Sequence, residues 1–395
     1  MYVFFVLLIL FVIAVIYGIS EFFIHQKRVY SIPIRIHVNG TRGKSSVTRL
    51  IGSALSEAGI KTITKVTGTF PRLILDDGTE TEIFRKTGAN IIEQLSVIKL
   101  ASERKVEAVV LECMALEPQY QEITETKMIH ATIGVITNVR LDHIEIMGYS
   151  LPEITWTLSK TIPANQHLFT SEKEMFPLLK AAADKKKSVI HLVDTETIKQ
   201  EEMNGFSYIE HKENVALALA VCQHLGVPRE VALKGMYKAI PDAGVLNCHK
   251  IELSGKKINF YNAFAANDPQ STLMIINRMK DENKFKGTKI ILLNTREDRI
   301  DRAKQLSEMT GKYLSNDLDY LILIGHPTDM VENLTAAHGV RRNKILNLGM
   351  TDPPTVFESV LSCTENESTV VAIGNMGGIG ADVAQLFEQR SFVND

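Results

Sequence analysis

The sequence predicts an α/β protein of two domains that follow one transmembrane helix. Three observations carry this prediction: an uncharged apolar run at the N-terminus, short β-rich runs that alternate with helical patterns from Ile32 onward, and a strand–glycine turn–helix segment at the start of that alternation. We predict an anchor at 1–24, a first α/β domain at 25–242 and a second at 243–395.

The overall composition excludes several classes of protein. The 395 residues include 44 Lys plus Arg and 46 Asp plus Glu, so there is no basic excess to neutralise nucleic-acid phosphates. Apolar residues make up 45% and charged residues 23%, as in globular proteins rather than disordered or fibrous ones. The four cysteines lack metal-ligand spacing and indicate reduced thiols in the cytosol.

The N-terminal run predicts a membrane anchor. Residues 1–20 carry no charged side chain and 18 of them are apolar, which is long enough to cross about 30 Å of hydrocarbon as a helix. A cleaved signal peptide would begin with basic residues and end in a small-residue cleavage site, and this run has no basic start and no convincing cleavage site. A buried core helix is the other alternative, but such a helix is rarely apolar on every face. Lys27, Arg28 and Arg35 all follow the run. We therefore expect a single-pass protein of the cell membrane, with its N-terminus outside and its remaining chain cytoplasmic.

The first α/β domain is predicted from hydrophobic periodicity. Its helix at 45–58 would place Val47, Leu50, Ile51, Ala54 and Leu55 on one face. The other predicted elements are strands at 32–38, 107–112 and 131–137, a helix at 214–225, and a short helical hairpin from Gly226.

The second domain follows Pro241-Asp-Ala-Gly244, whose composition indicates a hinge. Helical stretches separate its β-rich runs, which predicts a doubly wound, Rossmann-like sheet. The predicted strands are 257–261, 289–293, 320–324, 344–348 and 369–373.

The segment HVNGTRGKSS has the pattern of a phosphate-binding loop between a strand and a helix. Gly40 and Gly43 let the backbone approach phosphate, and the helix N-terminus supplies free N–H groups. Lys44 would reach the β- and γ-phosphates of ATP, and the hydroxyl of Ser45 or Ser46 would ligate Mg²⁺. The first glycine of the common phosphate-loop pattern is absent. The residues predicted to bind ATP here are Asn39, Gly40, Thr41, Arg42, Gly43, Lys44, Ser45 and Ser46.

This loop resembles that of the Mur ligase superfamily, the ATP-dependent amide ligases that include folylpolyglutamate synthase. The apolar strand 107–112 ends in Glu112, where the family keeps a magnesium-binding glutamate. The segment TNVRLDH is similar to the family's TN-x-x-x-DH signature. The resemblance implies that Asn138 contacts ATP and that His143 binds a second metal ion. It also implies a Mur-type ATPase domain followed by a C-terminal ligase domain.

Three further positions follow from the resemblance. Lys160 lies where the family often carries a carbamylated, metal-binding lysine, although an ordinary surface lysine fits equally. Asn214 resembles the asparagine that the family places near the adenine of ATP. Because the hinge lacks the family's arginine, Arg299, or alternatively Arg296 or Arg302, would supply that charge. The implied catalytic residues are Lys44, Glu112 and His143, and the implied metal ligands are Ser45, Glu112, His143 and Lys160.

The differences from the general Mur ligase pattern exclude some of the family's substrates. Little sequence precedes the loop, so we expect no sugar-nucleotide domain and no UDP-muramyl substrate. A glycine turn at 371–380 is a weak dinucleotide fingerprint that we reject, because no acidic residue follows at the required distance. Segments 67–75, 88–94 and 262–272 resemble the ligase subunits of bacterial poly-γ-glutamate synthases.

That resemblance implies an enzyme that polymerises glutamate through γ-linkages, for a capsule or a released polymer. ATP would convert a γ-carboxylate to an acyl-phosphate, giving ADP and phosphate. The implied partners are glutamate, the growing chain and further membrane subunits, without nucleic acid. Arg72 and Arg85 could hold carboxylates, but we prefer to interpret them as solvated surface charges. The alternatives are another Mur-type ligase, such as a folylpolyglutamate synthase, and a membrane-tethered ATPase of a transport complex.

Overall fold

The computed structural model describes residues 2–68, 71–85, 89–206, 208, 210–240, 247–264, 268–281 and 283–391. The chain forms two compact units, Met1–Asp242 and Ala243–Asp395. The sequence predicts a hinge at Pro241–Gly244, which lies outside the described residues.

The first unit is built on an eight-stranded sheet of order β4-β3-β2-β5-β1-β6-β7-β8. Its central strand β1 is parallel to both neighbours, β5 and β6. Its elements are α1 Tyr2–Tyr30, β1 Ile34–Asn39, α2 Lys44–Glu57, β2 Thr62–Val66, β3 Arg72–Ile74, β4 Glu80–Glu82, α3 Glu93–Glu103, β5 Ala108–Glu112, α4 Pro118–Ile123, β6 Ile133–Ile136, α5 Ile144–Met147, α6 Leu151–Leu158, β7 His167–Thr170, α7 Phe176–Lys185, β8 Val189–Leu192, α8 Gln200–Met203, α9 Lys212–His224 and α10 Arg229–Tyr237.

Burial of an apolar helix face holds the phosphate-loop segment against the sheet. The predicted face of α2 is confirmed, since Val47, Leu50, Ile51, Ala54 and Leu55 are all fully buried. They belong to the same core cluster as residues of β1 and α9. The position of the loop between β1 and α2 is therefore fixed by packing on both sides.

The second unit has a six-stranded sheet of order β13-β12-β11-β14-β10-β9. Strands β10 to β14 are parallel, which confirms the α/β prediction, whereas β9 is an antiparallel edge strand that the sequence did not predict. Its elements are β9 Asn247–Leu253, β10 Lys256–Asn262, α11 Pro269–Asp281, β11 Thr288–Thr295, α12 Ile300–Met309, β12 Tyr320–Gly325, α13 Thr328–Ala337, β13 Ile345–Gly349, α14 Pro353–Cys363, β14 Glu367–Gly374 and α15 Gly380–Gln389.

The N-terminal helix α1 differs from the other helices in its exposure. Within the described part of the chain it is the one helix long and apolar enough to cross a membrane, with a mean hydropathy of 3.0. Its side chains are exposed up to residue 24, whereas His25 and Val29 are buried. The His25 ring lies 2.9 Å from the Met128 carbonyl oxygen. The last two turns of α1 are therefore docked on the first unit, and the apolar part before them is left uncovered.

Candidate functional site

The phosphate loop lies where the carboxyl ends of β1, β5 and β6 meet at one edge of the sheet, the usual ligand position in an α/β fold. Gly40 and Gly43 have φ angles of 132° and 79°, which side-chain-bearing residues rarely adopt. A Cβ atom on Gly40 would lie 2.0 Å from Thr137 Oγ1. Both glycines are therefore required by backbone geometry.

Asn138 holds the loop in its curved shape. Its Oδ1 atom accepts hydrogen bonds from Thr41 Oγ1 at 2.7 Å and from the Arg42 backbone N–H at 3.1 Å. Its Nδ2 atom donates to the Arg42 carbonyl oxygen at 3.2 Å. The sequence predicts an ATP contact for Asn138, and in the structure its side chain bonds the loop that would surround the phosphates.

Asn39 is buried beneath the loop. Its Oδ1 atom accepts from the Gly40 backbone N–H at 2.8 Å. Its Nδ2 atom donates to Gln121 Oε1 at 2.8 Å and to Thr161 Oγ1 at 3.1 Å. These bonds occupy both ends of its amide, so Asn39 fixes the start of the loop.

Lys44, Ser45 and Glu112 converge at the first turn of α2. The Lys44 ammonium donates to the carbonyl oxygens of Gly40 at 2.8 Å and Thr41 at 3.2 Å, across the mouth of the loop. Ser45 Oγ lies 3.1 and 3.0 Å from the two Glu112 carboxylate oxygens and donates to them. The structure thus brings together three of the residues that the sequence assigns to phosphate and metal.

Asp142 and His143 complete the same site from the segment after β6. Asp142 Oδ1 lies 3.4 Å from Arg42 Nη2, and its Oδ2 lies 3.9 Å from His143 Nε2. His143 has a φ angle of 47° and immediately precedes α5. These residues border a cavity of about 220 Å³, whose lining includes Asn39, Gly40, Thr41, Lys44, Glu112, Asp142 and His143.

Two of the predicted site residues are not among the described residues that line this cavity. Lys160 Nζ is 3.5 Å from Glu122 Oε2 and 4.4 Å from the centre of the Trp156 ring, and it is not among the described residues that line the cavity. Arg299 belongs to the second unit, where its Nε lies 3.9 Å from Asp298 Oδ2.

Asn214 reaches the phosphate loop from α9. Its Nδ2 atom donates to Glu210 Oε1 at 2.8 Å, and its Oδ1 atom lies 2.5 Å from the position of a Cβ on Gly43. Burial raises the pKa of Glu210. Sequence reasoning missed Glu210, which lies two residues before the start of α9.

Other supporting residues were also missed. Thr137 Oγ1 donates to the Arg42 carbonyl oxygen at 2.6 Å, and Gln94 Nε2 donates to the Glu112 carbonyl oxygen at 3.1 Å. Lys65 is fully buried. Thr137 and Gln94 lie inside motifs that the sequence had singled out, whereas Lys65 gave no signal.

The interpretation of Arg85 as a solvated surface charge is wrong. Its side chain is 17% exposed, lines the cavity and pairs with Glu93 at 2.7 Å. The same Glu93 carboxylate lies 3.0 Å from Lys65 Nζ, and burial lowers the pKa of that lysine. Arg72, in contrast, lies on β3 near Glu82, at 3.7 Å.

Replacing Gly43 with alanine is expected to weaken ATP binding at least about tenfold, because the new methyl group would collide with Asn214 and distort the loop. Gly59→Ala is the matched control: Gly59 has a φ of 81° but nothing within 4 Å of a Cβ. Both variants should lose similar backbone stability, about 1–2 kcal/mol. Equilibrium binding of a fluorescent ATP analogue would measure the difference, and equal affinities in the two variants would contradict the collision.

The chain matches two family models. Residues 38–267 match the Mur ligase middle domain. Residues 248–390 match the C-terminal domain of poly-gamma-glutamate synthase CapB.

Two curated relatives are similar over nearly the whole chain. The capsule biosynthesis protein CapB of Bacillus anthracis is 37% identical over 381 residues, which cover 96% of this chain and 82% of that protein. The PGA synthase CapB of Bacillus subtilis (strain 168) is 36% identical over 368 residues, or 93% of each chain.

Solved structures with a similar fold have much lower identity. E. coli FolC in complex with DHPP and ADP aligns with a TM-score of 0.69 at 16% identity, over 93% of this chain and 92% of that one. A Yersinia pestis bifunctional folylpolyglutamate synthase/dihydrofolate synthase, complexed with AMPPNP and Mn ion, gives a TM-score of 0.68 at 15% identity over the same shares. At these identities the likeness shows the fold.

Proposed function

Because the chain belongs to the Mur ligase family and, within it, to the poly-gamma-glutamate synthase CapB family, we propose that Lys44, Ser45 and Glu112 form its ATP-activating centre. The protein is an ATP-dependent amide ligase of poly-γ-glutamate synthesis. The observation that supports the proposed centre is the convergence of these three side chains at the N-terminus of α2, beside one cavity.

The reaction needs activation because a carboxylate is a poor electrophile. A γ-carboxylate oxygen of the growing chain attacks the γ-phosphorus of ATP, and the bond to the ADP oxygen breaks. The amine of the incoming glutamate then attacks the acyl carbon, loses a proton, and displaces inorganic phosphate. These steps need alignment and charge neutralisation more than covalent protein chemistry.

The residues of the loop supply that neutralisation. Phosphate oxygens entering the loop would replace the Gly40 and Thr41 carbonyls as acceptors for the Lys44 ammonium. The N-terminus of α2 adds N–H donors and a favourable dipole. Thr41 and Arg42 keep the loop curved through their bonds to Asn138. Contacts of Ser46 and Asn214 with ATP are proposed in addition, and the contact predicted for Arg299 stays a prediction.

The donor atoms at this site fit a hard divalent ion. Ser45 Oγ and the Glu112 carboxylate form an oxygen-only pair, the type that Mg²⁺ and Mn²⁺ prefer. We propose that they hold Mg²⁺ and that His143 contributes to a second ion. Bound Mg²⁺ would reduce the negative charge of the phosphates. Lys160 as a further ligand stays a prediction.

We propose that α1 anchors the enzyme with both units on the cytoplasmic side. The support is the uncovered apolar surface up to residue 24 and the Lys27 and Arg28 side chains in the last turn. A single helix provides no route for a polyanion, so we also propose further membrane subunits that carry the product.

The function is tested with membrane vesicles that contain the full chain and its co-expressed membrane partners. With ATP, Mg²⁺ and labelled glutamate we expect a γ-linked polymer, one ADP per amide bond, and loss of synthesis when EDTA removes the metal. Lys180→Ala replaces an exposed lysine on α7 and is the control for substitution of Lys44, so this variant should keep full activity. ATP hydrolysis without incorporation would support a transport ATPase instead, and labelled extended folate would support a folylpolyglutamate synthase.

The same vesicles test the orientation. Inverted vesicles should use ATP added outside, and right-side-out vesicles should not. Equal synthesis in both preparations would contradict the cytoplasmic placement without affecting the proposed reaction.

A further inference from the structure

Three histidines from separate elements of the first unit meet beside the sheet edge. They are His167 at the start of β7, His191 in the edge strand β8 and His224 at the end of α9. One ring nitrogen from each lies within 4.8 Å of the other two. We propose that they bind one divalent transition-metal ion of the Zn²⁺ class, at a site that shares no lining residue with the phosphate-loop cavity.

The donor set favours a borderline metal over Mg²⁺. All three donors are imidazoles, and imidazole suits Zn²⁺, Cu²⁺, Ni²⁺ and Fe²⁺, whereas Mg²⁺ and Ca²⁺ require oxygen ligands. Three histidines plus one water is a common arrangement of four-coordinate Zn²⁺. The site is therefore chemically distinct from the Ser45–Glu112 pair.

Two of the rings are already in hydrogen-bonding contact. His167 Nδ1 and His191 Nε2 lie 3.0 Å apart, so one of these nitrogens carries a proton that points to the other. That proton would have to move to the second nitrogen of its ring before both atoms could ligate the same ion.

The geometry needs only small side-chain movements. Zn–N bonds of about 2.0–2.1 Å place neighbouring ligand nitrogens of a tetrahedral site about 3.4 Å apart. The His167–His191 pair is close to that spacing, and the exposed His224 ring lies with its centre 4.3 Å from that of His167. Phe169 stacks on His191 at 4.4 Å with an interplanar angle of 12°, which supports the ring from behind. The exposed side leaves a position for water.

A metal at this position would brace α9. The helix carries Asn214 near its N-terminus, beside Gly43 of the phosphate loop, and His224 at its other end. An ion bound by His167, His191 and His224 would join the last turn of α9 to β7 and β8. We therefore assign the ion a stabilising role.

The test uses the purified full-length protein in detergent, stripped of metal and titrated with Zn²⁺ and with Co²⁺. We expect one tightly bound Zn²⁺ in both the wild type and Glu112→Gln, and a four-coordinate Co²⁺ absorption spectrum. His191→Gln and His224→Gln should each weaken binding at least about tenfold. Zn²⁺ should raise the wild-type melting temperature by several degrees and leave that of the two variants unchanged.

His326→Gln is the matched control, since His326 is an exposed histidine of the second unit. It should bind Zn²⁺ as the wild type does. The proposal is overturned if the wild type takes up no stoichiometric Zn²⁺, or if the His191→Gln/His224→Gln double variant binds it equally well. The first of these results is obtained on the wild type, so the proposal can be overturned even if a variant misfolds.

Discussion

Replacing Lys44 with alanine is expected to lower ATP-dependent glutamate incorporation by about 10²–10³-fold, mainly in kcat. The Lys44 ammonium lies at the mouth of the phosphate loop, where it donates to two backbone carbonyls. Its charge would stabilise the γ-phosphoryl group most strongly during transfer, so its loss should raise the energy of the transition state more than it weakens ATP binding. Initial rates over a range of ATP concentrations separate the two effects.

Two variants control for this result. Lys44→Arg keeps the positive charge but not the compact ammonium, and we expect it to recover only part of the activity. Lys180→Ala removes an exposed lysine that pairs with Asp184 in the next turn of α7, and the activity of this variant should equal that of the wild type. The proposed role of Lys44 is contradicted if Lys44→Ala keeps kcat within about threefold of the wild type at an unchanged melting temperature.

The parts of the site that could be predicted are those carried by contiguous motifs at strand ends. Strand, glycine turn and helix follow one another along the chain, so the positions of Lys44 and Ser45 follow from local sequence. Glu112 and His143 could be placed beside them because parallel strands bring their carboxyl ends to one edge of a sheet. The structure places Lys44, Glu112 and His143 on one cavity, as this reasoning requires.

The parts that escaped prediction depend on distant partners or weak local signals. The Thr137–Arg42 bond joins residues 95 positions apart, so the two motifs that contain them do not by themselves predict the bond. Strands β3, β4, β7 and β8 have only three or four residues each, which is too short for a recognisable alternation of apolar and polar residues. Arg85 was misread because its partner Glu93 lies beyond a glycine-containing segment.

A buried ion pair under the phosphate loop also gave no sequence signal. His37 on β1 is fully buried, and its Nδ1 atom lies 2.8 Å from Glu125 Oε2. The other Glu125 oxygen accepts the Ala131 backbone N–H at 2.9 Å. Burial alone would lower the pKa of His37, but hydrogen bonds and charge interactions with Cys113 and Glu125 outweigh it and raise that pKa to about 9.

This pair predicts a pH-dependent stability of the first unit. The pKa of His37 is higher in the folded state, at about 9, than its ordinary value of 6.5. Its contribution is therefore complete below pH 6.5 and is lost as the pH rises through 9, a loss of about 3 kcal/mol. Trp156 is the single tryptophan of the chain and lies in the first unit, so its fluorescence during urea unfolding reports this loss.

Replacing Glu125 with alanine should destabilise the first unit by about 3–5 kcal/mol near neutral pH, because it leaves a buried imidazole and a backbone N–H without their acceptor. The variant should also lose part of the pH dependence between 6.5 and 9, since Glu125 no longer holds the His37 proton while the interactions with Cys113 remain. Glu103→Gln, at an exposed position of α3, is the control and should match the wild type at every pH. A Glu125→Ala protein that keeps the wild-type pH profile would show that the proton resides elsewhere.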